Sequence, residues 1–207
     1  MSSLDLAAAL EPLYRGYLRR LDEMAARLPA DALLRESTTR GPLGEIKLGP
    51  DGLPLVFDVA DLRNGETFEV RGARPDAPAN PGGSYGALQI DLLPGNWEAL
   101  PVVCAFDGAA SDRELVEAAE LVRAFTLLAA GGACSHLGGS APSPWSGRLH
   151  SVQVVASGGQ LTATFDLGTC PPQALAILLA AFEGSGRDSR PIVQVTIGGA
   201  PPHDPPG

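Results

Sequence analysis

Apolar residues return every three or four positions near the start of the chain. Leu10, Leu13, Tyr17, Leu21 and Leu28 share one side, while Arg15, Arg19, Asp22, Glu23 and Arg27 fill the other. This spacing predicts a long amphipathic helix that ends near Pro29. The pattern then changes to short β-prone runs punctuated by Gly and Pro, at 45–48, 53–59, 67–71 and 86–93. The Asn64-Gly65 pair between the second and third runs suits a hairpin turn. The stretch 74–84 (RPDAPANPGGS) has no apolar period and reads as a mobile loop.

From residue 100 the elements follow one another more regularly. A strand is predicted at 102–106, a helix at 112–130, strands at 149–156 and 160–167, a helix at 171–183 and a strand at 192–197. Ser111 and Glu114 form a capping box for the first of these helices. Pro171-Pro172 opens the second and Gly184 closes it. Ser157-Gly158-Gly159 turns the central hairpin. Both halves run from an apolar strand through Phe-Asp (Phe106-Asp107 and Phe165-Asp166) into a helix. A βαββαβ order with such an internal echo predicts a ferredoxin-like split βαβ unit. The expected class is therefore α+β, with an antiparallel or mixed sheet. The ferredoxin-like unit at 100–199 is preceded by a helix and β-hairpins at 1–99 packed on it, and followed by a disordered tail at 200–207, the whole forming one compact domain.

Composition narrows the choice further. With 207 residues, 44% hydrophobic, 19% charged and 5% aromatic, the chain is neither disordered nor fibrous, and its core must be largely aliphatic. The net charge is -9, and the segment 51–130 alone carries 13 acidic against 5 basic side chains. That balance argues against a nucleic-acid partner, because phosphate binding needs clustered Lys and Arg. The three cysteines, Cys104, Cys134 and Cys170, follow no disulfide or zinc spacing, which fits a reducing cytoplasm. The N-terminal segment lacks the basic and continuous apolar regions of a signal peptide. The longest apolar run, 174–182, is too short to span a membrane.

Three places hold residues with chemical capability. The ferredoxin-like reading sets its first and third strands side by side and parallel, so that Asp107 and Asp166 meet at their C-terminal ends. A carboxylate pair of that kind shares a proton or holds a cation, although the same residues also serve as ordinary helix-capping loop positions. Cys134, Ser135 and His136 lie in a glycine-rich loop, with His150 fourteen residues beyond and Cys170 further on. Nucleophilic catalysis needs a thiol or hydroxyl within reach of an oriented His, and a plain linker explains the same residues. Trp97 and Trp145 both sit in loop-like surroundings, as exposed contact anchors or as plugs at the edge of a core. No phosphate loop, GxSxG elbow or HExxH motif is present, and Lys47 is the single lysine.

With so few His, Cys and Lys residues, the chain reads as a non-enzymatic acidic binding protein. No catalytic residue, cofactor or metal is assigned. As a class, small acidic cytoplasmic α+β proteins of this make-up resemble the immunity proteins of bacteria, which neutralise toxins by covering a basic active site. The resemblance implies a basic protein partner, steered by the acidic segment to a contact surface made of Trp97, Glu98, Asp107, Asp112, Glu117 and Glu120. A membrane is not expected as a partner. The helix at 171–183 is apolar on nearly all sides, which makes it core or, failing that, a homodimer face. Two alternatives stand beside this reading: a small-molecule-sensing ferredoxin-like regulatory domain, and a carboxylate-based enzyme using Asp107 and Asp166.

Overall fold

The first helix, α1 (Leu6–Ala25), begins at Asp5, whose carboxylate accepts the Ala8 N–H at 3.1 Å. Its apolar stripe, Leu6, Leu10, Leu13, Tyr17 and Leu21, is buried as the spacing requires. A computed structural model describes residues 3–40, 42–49, 52–71, 74–137, 145–185 and 190–199. The expected disordered tail at 200–207 and the stretch 138–144 of the glycine-rich loop lie outside the described residues.

Two sheets follow α1. The smaller is antiparallel in the order β1 (Leu33–Thr38), β2 (Val56–Asp61), β3 (Glu66–Phe68). The run expected as a strand at 45–48 makes only isolated bridges, Arg40 with Ile46 and Leu48 with Pro54. The larger sheet uses β4 (Gly82–Tyr85), β5 (Leu88–Leu92), β6 (Leu100–Phe106), β7 (Ser151–Ser157), β8 (Gln160–Asp166) and β9 (Ile192–Ile197). Its order is β4-β5-β9-β6-β8-β7. Helices α2 (Asp112–Ala130) and α3 (Gln173–Gly184) connect β6 to β7 and β8 to β9.

The α+β class expected from the sequence is the class observed. Within the large sheet β6 pairs antiparallel with both β8 and β9, and β7 pairs antiparallel with β8. Each βαβ unit is thereby split by a strand of the other, and nothing conflicts with the ferredoxin-like expectation. The hairpin between β7 and β8 turns through Gly158 and Gly159, at φ +60° and +75°, a conformation glycine adopts without a Cβ clash. The sheet extends beyond that unit. β5 joins β9 in parallel and β4 pairs antiparallel with β5, so the stretch 74–84 read as a mobile loop in fact ends in an edge strand. Asp76 within it exchanges backbone hydrogen bonds with Gly95 and pairs with Arg20 at 3.1 Å.

Alternation along the strands decides which face meets the helices. Leu88, Ile90, Leu92, Val102, Cys104, Leu161, Ala163, Phe165, Val195 and Ile197 point into one core with all three helices. Leu53, Val59 and Val70 of the smaller sheet and its loops belong to the same core. Between the buried positions, Val103, Ala105, Thr162, Thr164, Gln194 and Thr196 line a partly exposed outer face. Among the described residues no helix is long and apolar enough to cross a membrane.

The capping box at the start of α2 is present as expected. Ser111 Oγ accepts the Glu114 N–H at 3.4 Å, and Glu114 accepts the Ser111 N–H at 2.7 Å. The other Glu114 oxygen accepts the Arg190 N–H at 2.6 Å, which ties the segment before β9 to the helix. These hydrogen bonds hold the Glu114 carboxyl down at about 2. Ser111→Ala should lower the stability by about 1 kcal/mol. A thermal melt checks this as a fall of about 3 °C in the midpoint.

Candidate functional site

The register of β1 and β2 sets up the site. Arg35 faces Val59 and Ser37 faces Phe57, which leaves Glu36 directly opposite Asp58. Two carboxylates on facing positions repel one another. His150, at the entrance to β7, lies between them: Nε2 is 3.0 Å from Glu36 Oε1 and Nδ1 is 3.4 Å from Asp58 Oδ1. Asp166, the last residue of β8, stands 3.7 Å from the same Nδ1. The His150 and Glu36 side chains are 4% and 1% exposed, whereas Asp166 is 33% exposed.

Further donors to the two carboxylates come from other parts of the chain. Glu36 accepts the Ser146 N–H at 2.5 Å, the Ser146 hydroxyl at 2.7 Å and the Thr169 hydroxyl at 2.5 Å. Asp58 accepts the Tyr17 hydroxyl of α1 at 2.6 Å and the Val70 N–H at 2.7 Å. Glu36 itself sits at φ +33°, in the left-handed region that a residue with a Cβ visits at a cost on the order of 1 kcal/mol. The four hydrogen bonds to its carboxylate hold it there. Gly168 at φ +51° is required for a steric reason as well, because a Cβ there would lie 2.4 Å from His150 Nε2.

Electrostatics settles the protonation state. Burial works against a charged imidazole, but the negative charge of Asp166 and Asp58 and the hydrogen bond with Glu36 outweigh it and push the His150 pKa up to about 10. Burial likewise opposes a charged Glu36, yet the hydrogen bond and charge of His150, with the Ser146 and Thr169 donors, bring its pKa below the ordinary value. Asp58 moves the other way: burial raises it, against the pull of His150 and Tyr17. Tyr17 is raised well above its ordinary value by burial and by Asp58. The arrangement is an imidazolium clamped by carboxylates. With an N–H of each ring nitrogen directed at a carboxylate, no basic nitrogen is left to take a proton from a substrate or to bind a metal. Among the described residues no group of three or more His, Cys, Asp or Glu side chains is placed to hold a metal ion.

Two concavities border the cluster. One, about 240 Å³, is walled by Leu53, Pro54, Leu55 and Val56 and ends on Asp58, His150 and Asp166. The other is a groove of about 1010 Å³ along α2, β7 and the end of β8; its charged lining is Glu98, Glu120, Asp166 and Arg123. Leu53, Ser151 and Asp166 border both.

Several sequence-derived candidates take different places from those expected. β6 and β8 run antiparallel, so Asp107 and Asp166 follow opposite ends of the sheet and do not meet. The strand between those ends is roughly 20 Å long. Trp97 is a core residue, 1% exposed and tilted against Tyr14 with ring centroids 5.5 Å apart. Trp145 is also buried; its Nε1 donates to Asp22 at 3.2 Å and Arg35 lies over its ring. The acidic segment is dispersed over the molecule. Glu98 is nearly buried, 3.6 Å from Arg20, whereas Asp107 and Asp112 are exposed beyond the other end of β6. Glu117 pairs with Arg113 at 2.7 Å and Glu120 with Arg123 at 3.7 Å along α2. His136 is exposed, whereas Cys134 and Cys170 are both buried. No family model matches the chain, and no curated protein or solved structure matches it significantly.

Proposed function

We propose that this chain is a non-enzymatic acidic binding protein that receives a basic segment of a partner protein in the groove beside α2. The observation that supports this most is the lining of that groove, where the accessible carboxylates of Glu120 and Asp166 stand beside a single guanidinium, that of Arg123. Carboxylates on a concave wall favour a cationic segment over an anionic one. The acidic side chains elsewhere on α2 and after β6 add long-range attraction, without forming one continuous patch. Catalysis has less to work with, because the buried His150 is spent on holding Glu36 and Asp58. In its narrowest form the proposal makes the partner a toxin with a basic active site, the class that immunity proteins neutralise.

The test uses a short labelled peptide alternating lysine and valine, with a glutamate-valine peptide as the control. Fluorescence anisotropy should show binding of the lysine peptide that weakens about tenfold between low and physiological salt. Glu120→Lys, an exposed change on α2, should weaken it about tenfold again at low salt. Binding that ignores salt, or equal binding of the glutamate peptide, contradicts the proposal.

A further inference from the structure

The smaller of the two concavities combines two kinds of lining. Its walls are aliphatic, from Leu53, Pro54, Leu55 and Val56, and it ends on the ionisable groups Asp58, His150 and Asp166. The Asp58 and His150 side chains are each 4% exposed, so this floor is built into the fold. Glu69 and Arg71 also border the cavity, but they are more exposed and pair with one another, Arg71 Nε donating to Glu69 at 2.7 Å. Their charges cancel locally.

The floor has more acceptors than donors. The positive charge of His150 is already matched at hydrogen-bond distance by Glu36, 3.0 Å from Nε2. On the other side of the ring a single N–H, that of Nδ1, faces two carboxylates, Asp58 at 3.4 Å and Asp166 at 3.7 Å. Asp58 is completed by the Tyr17 hydroxyl and the Val70 N–H. Asp166 is not. Its Oδ1 accepts the Gly168 N–H at 3.1 Å, and among the described residues its Oδ2 accepts no hydrogen bond. A reachable carboxylate with an oxygen to spare therefore stands in excess at the end of an apolar-walled cavity.

We propose that this cavity binds a primary ammonium group on a short aliphatic stem. The ammonium donates to Asp166 and supplies the charge that the floor lacks, while the stem lies against Leu53, Leu55 and Val56. The cavity measures about 240 Å³. At roughly 30 Å³ for each water, it has room for on the order of eight water-sized groups, enough for an ammonium and a stem of about four carbons. The same carboxylates repel an anion, and a neutral alcohol leaves the excess charge unmatched. A free aliphatic amine carries such a group, and so does a lysine side chain; Leu53, Ser151 and Asp166 border the groove as well, which places the cavity beside any segment lying there. The inference rests on the cavity alone and not on the binding proposed for the groove.

The probe is n-butylamine at pH 7, where an alkylammonium is charged, with n-butanol and butyrate at the same ionic strength as controls. Methyl and amide NMR spectra of the full chain follow each titration. Butylamine should give saturable shifts at Leu53, Leu55, Val56 and Ser151, with a dissociation constant on the order of 1 mM. Butanol should bind about tenfold more weakly and butyrate not at all. Asp166→Asn keeps an acceptor for the Gly168 N–H and should weaken butylamine about tenfold. Glu23→Gln, an equal change of charge at an exposed position of α1, should leave it unchanged. If Asp166→Asn fails to fold, the comparison of butylamine with butanol on the wild type decides. The lysine-valine peptide separates the two sources: butylamine displaces it where a partner's lysine fills the cavity and leaves it bound where a free amine does. Equal affinity for butanol, binding of butyrate, shifts spread over other surfaces, or an unaffected Asp166→Asn overturns the proposal.

Discussion

Replacing His150 with alanine is expected to cost roughly 3–5 kcal/mol of folding stability, the loss seen when one partner of a buried charge cluster is removed. In a thermal melt that is a fall of about 10 °C or more for a chain of this size. The cause is the geometry of the small sheet. Glu36 and Asp58 are directly opposite on neighbouring strands, and His150 is the cation that lets them stay there. Removing it leaves two buried carboxylates facing each other and opens a cavity at the junction of β1, β2 and β7. A triple variant separates the two effects: His150→Leu combined with Glu36→Gln and Asp58→Asn removes the charges together. It should recover at least half of the loss, because neutral groups no longer repel and the leucine refills most of the space. A His150→Ala variant less than about 1 kcal/mol below the wild type would show that the clamp contributes little.

Alkaline pH should weaken the fold through the same residue. The folded chain holds the His150 proton more tightly than the unfolded chain does, with a pKa of about 10 against 6.5. The stabilisation is therefore complete below pH 6.5 and disappears as the pH climbs through 10. The slope is about 1.4 kcal/mol per pH unit within that window, adding up to about 5 kcal/mol. Glu36 acts at the other extreme: held below its ordinary value, its contribution is present above pH 4.5 and is lost as acid protonates it. Asp58, raised by burial, offsets part of that gain. Urea titrations from pH 6 to 10 on the wild type and His150→Ala measure the alkaline effect as a difference. This subtraction cancels Cys134, which at about 7 titrates within the same range. The gap between the two proteins should close as the pH rises, and a constant gap would contradict the assignment.

The elements that sequence reading placed well are those whose local signals agree. α2 has both a capping box and a three-to-four-residue apolar period, and β9 is a short run of alternating Val and Ile between breakers. The register of the β7 and β8 hairpin follows from its Gly-Gly turn. β1 escaped notice because its sequence, LLREST, carries two charges and no clean alternation; pairing with β2 makes it a strand. β4 is similar, since Gly82, Gly83 and Ser84 signal a loop and only the neighbouring β5 extends them.

The clamp was legible only in fragments. Tyr17 reads as one more apolar helix position, Asp58 as one more surface acid, and Glu36 has no local signal at all. Their convergence depends on two sheets meeting, and contacts separated by more than a hundred residues, such as Glu36 with His150, leave no spacing to detect. The pairing of Asp107 with Asp166 failed for a related reason. The strand order was inferred correctly enough to make β6 and β8 neighbours, but their direction is antiparallel, which sends the two ends apart. A tryptophan such as Trp97 in a Pro- and Gly-rich stretch also resembles an exposed anchor until Tyr14 of α1 is packed against it.

Nitrogen chemical shifts of the His150 ring at pH 8 bear most directly on whether this histidine is a charged strut or an available base. With histidine labelled at both ring nitrogens, the strut predicts that Nδ1 and Nε2 are both protonated at that pH and stay so well above 6.5. A neutral ring with one bare nitrogen at pH 8 would contradict it and return His150 to the list of candidate catalytic bases.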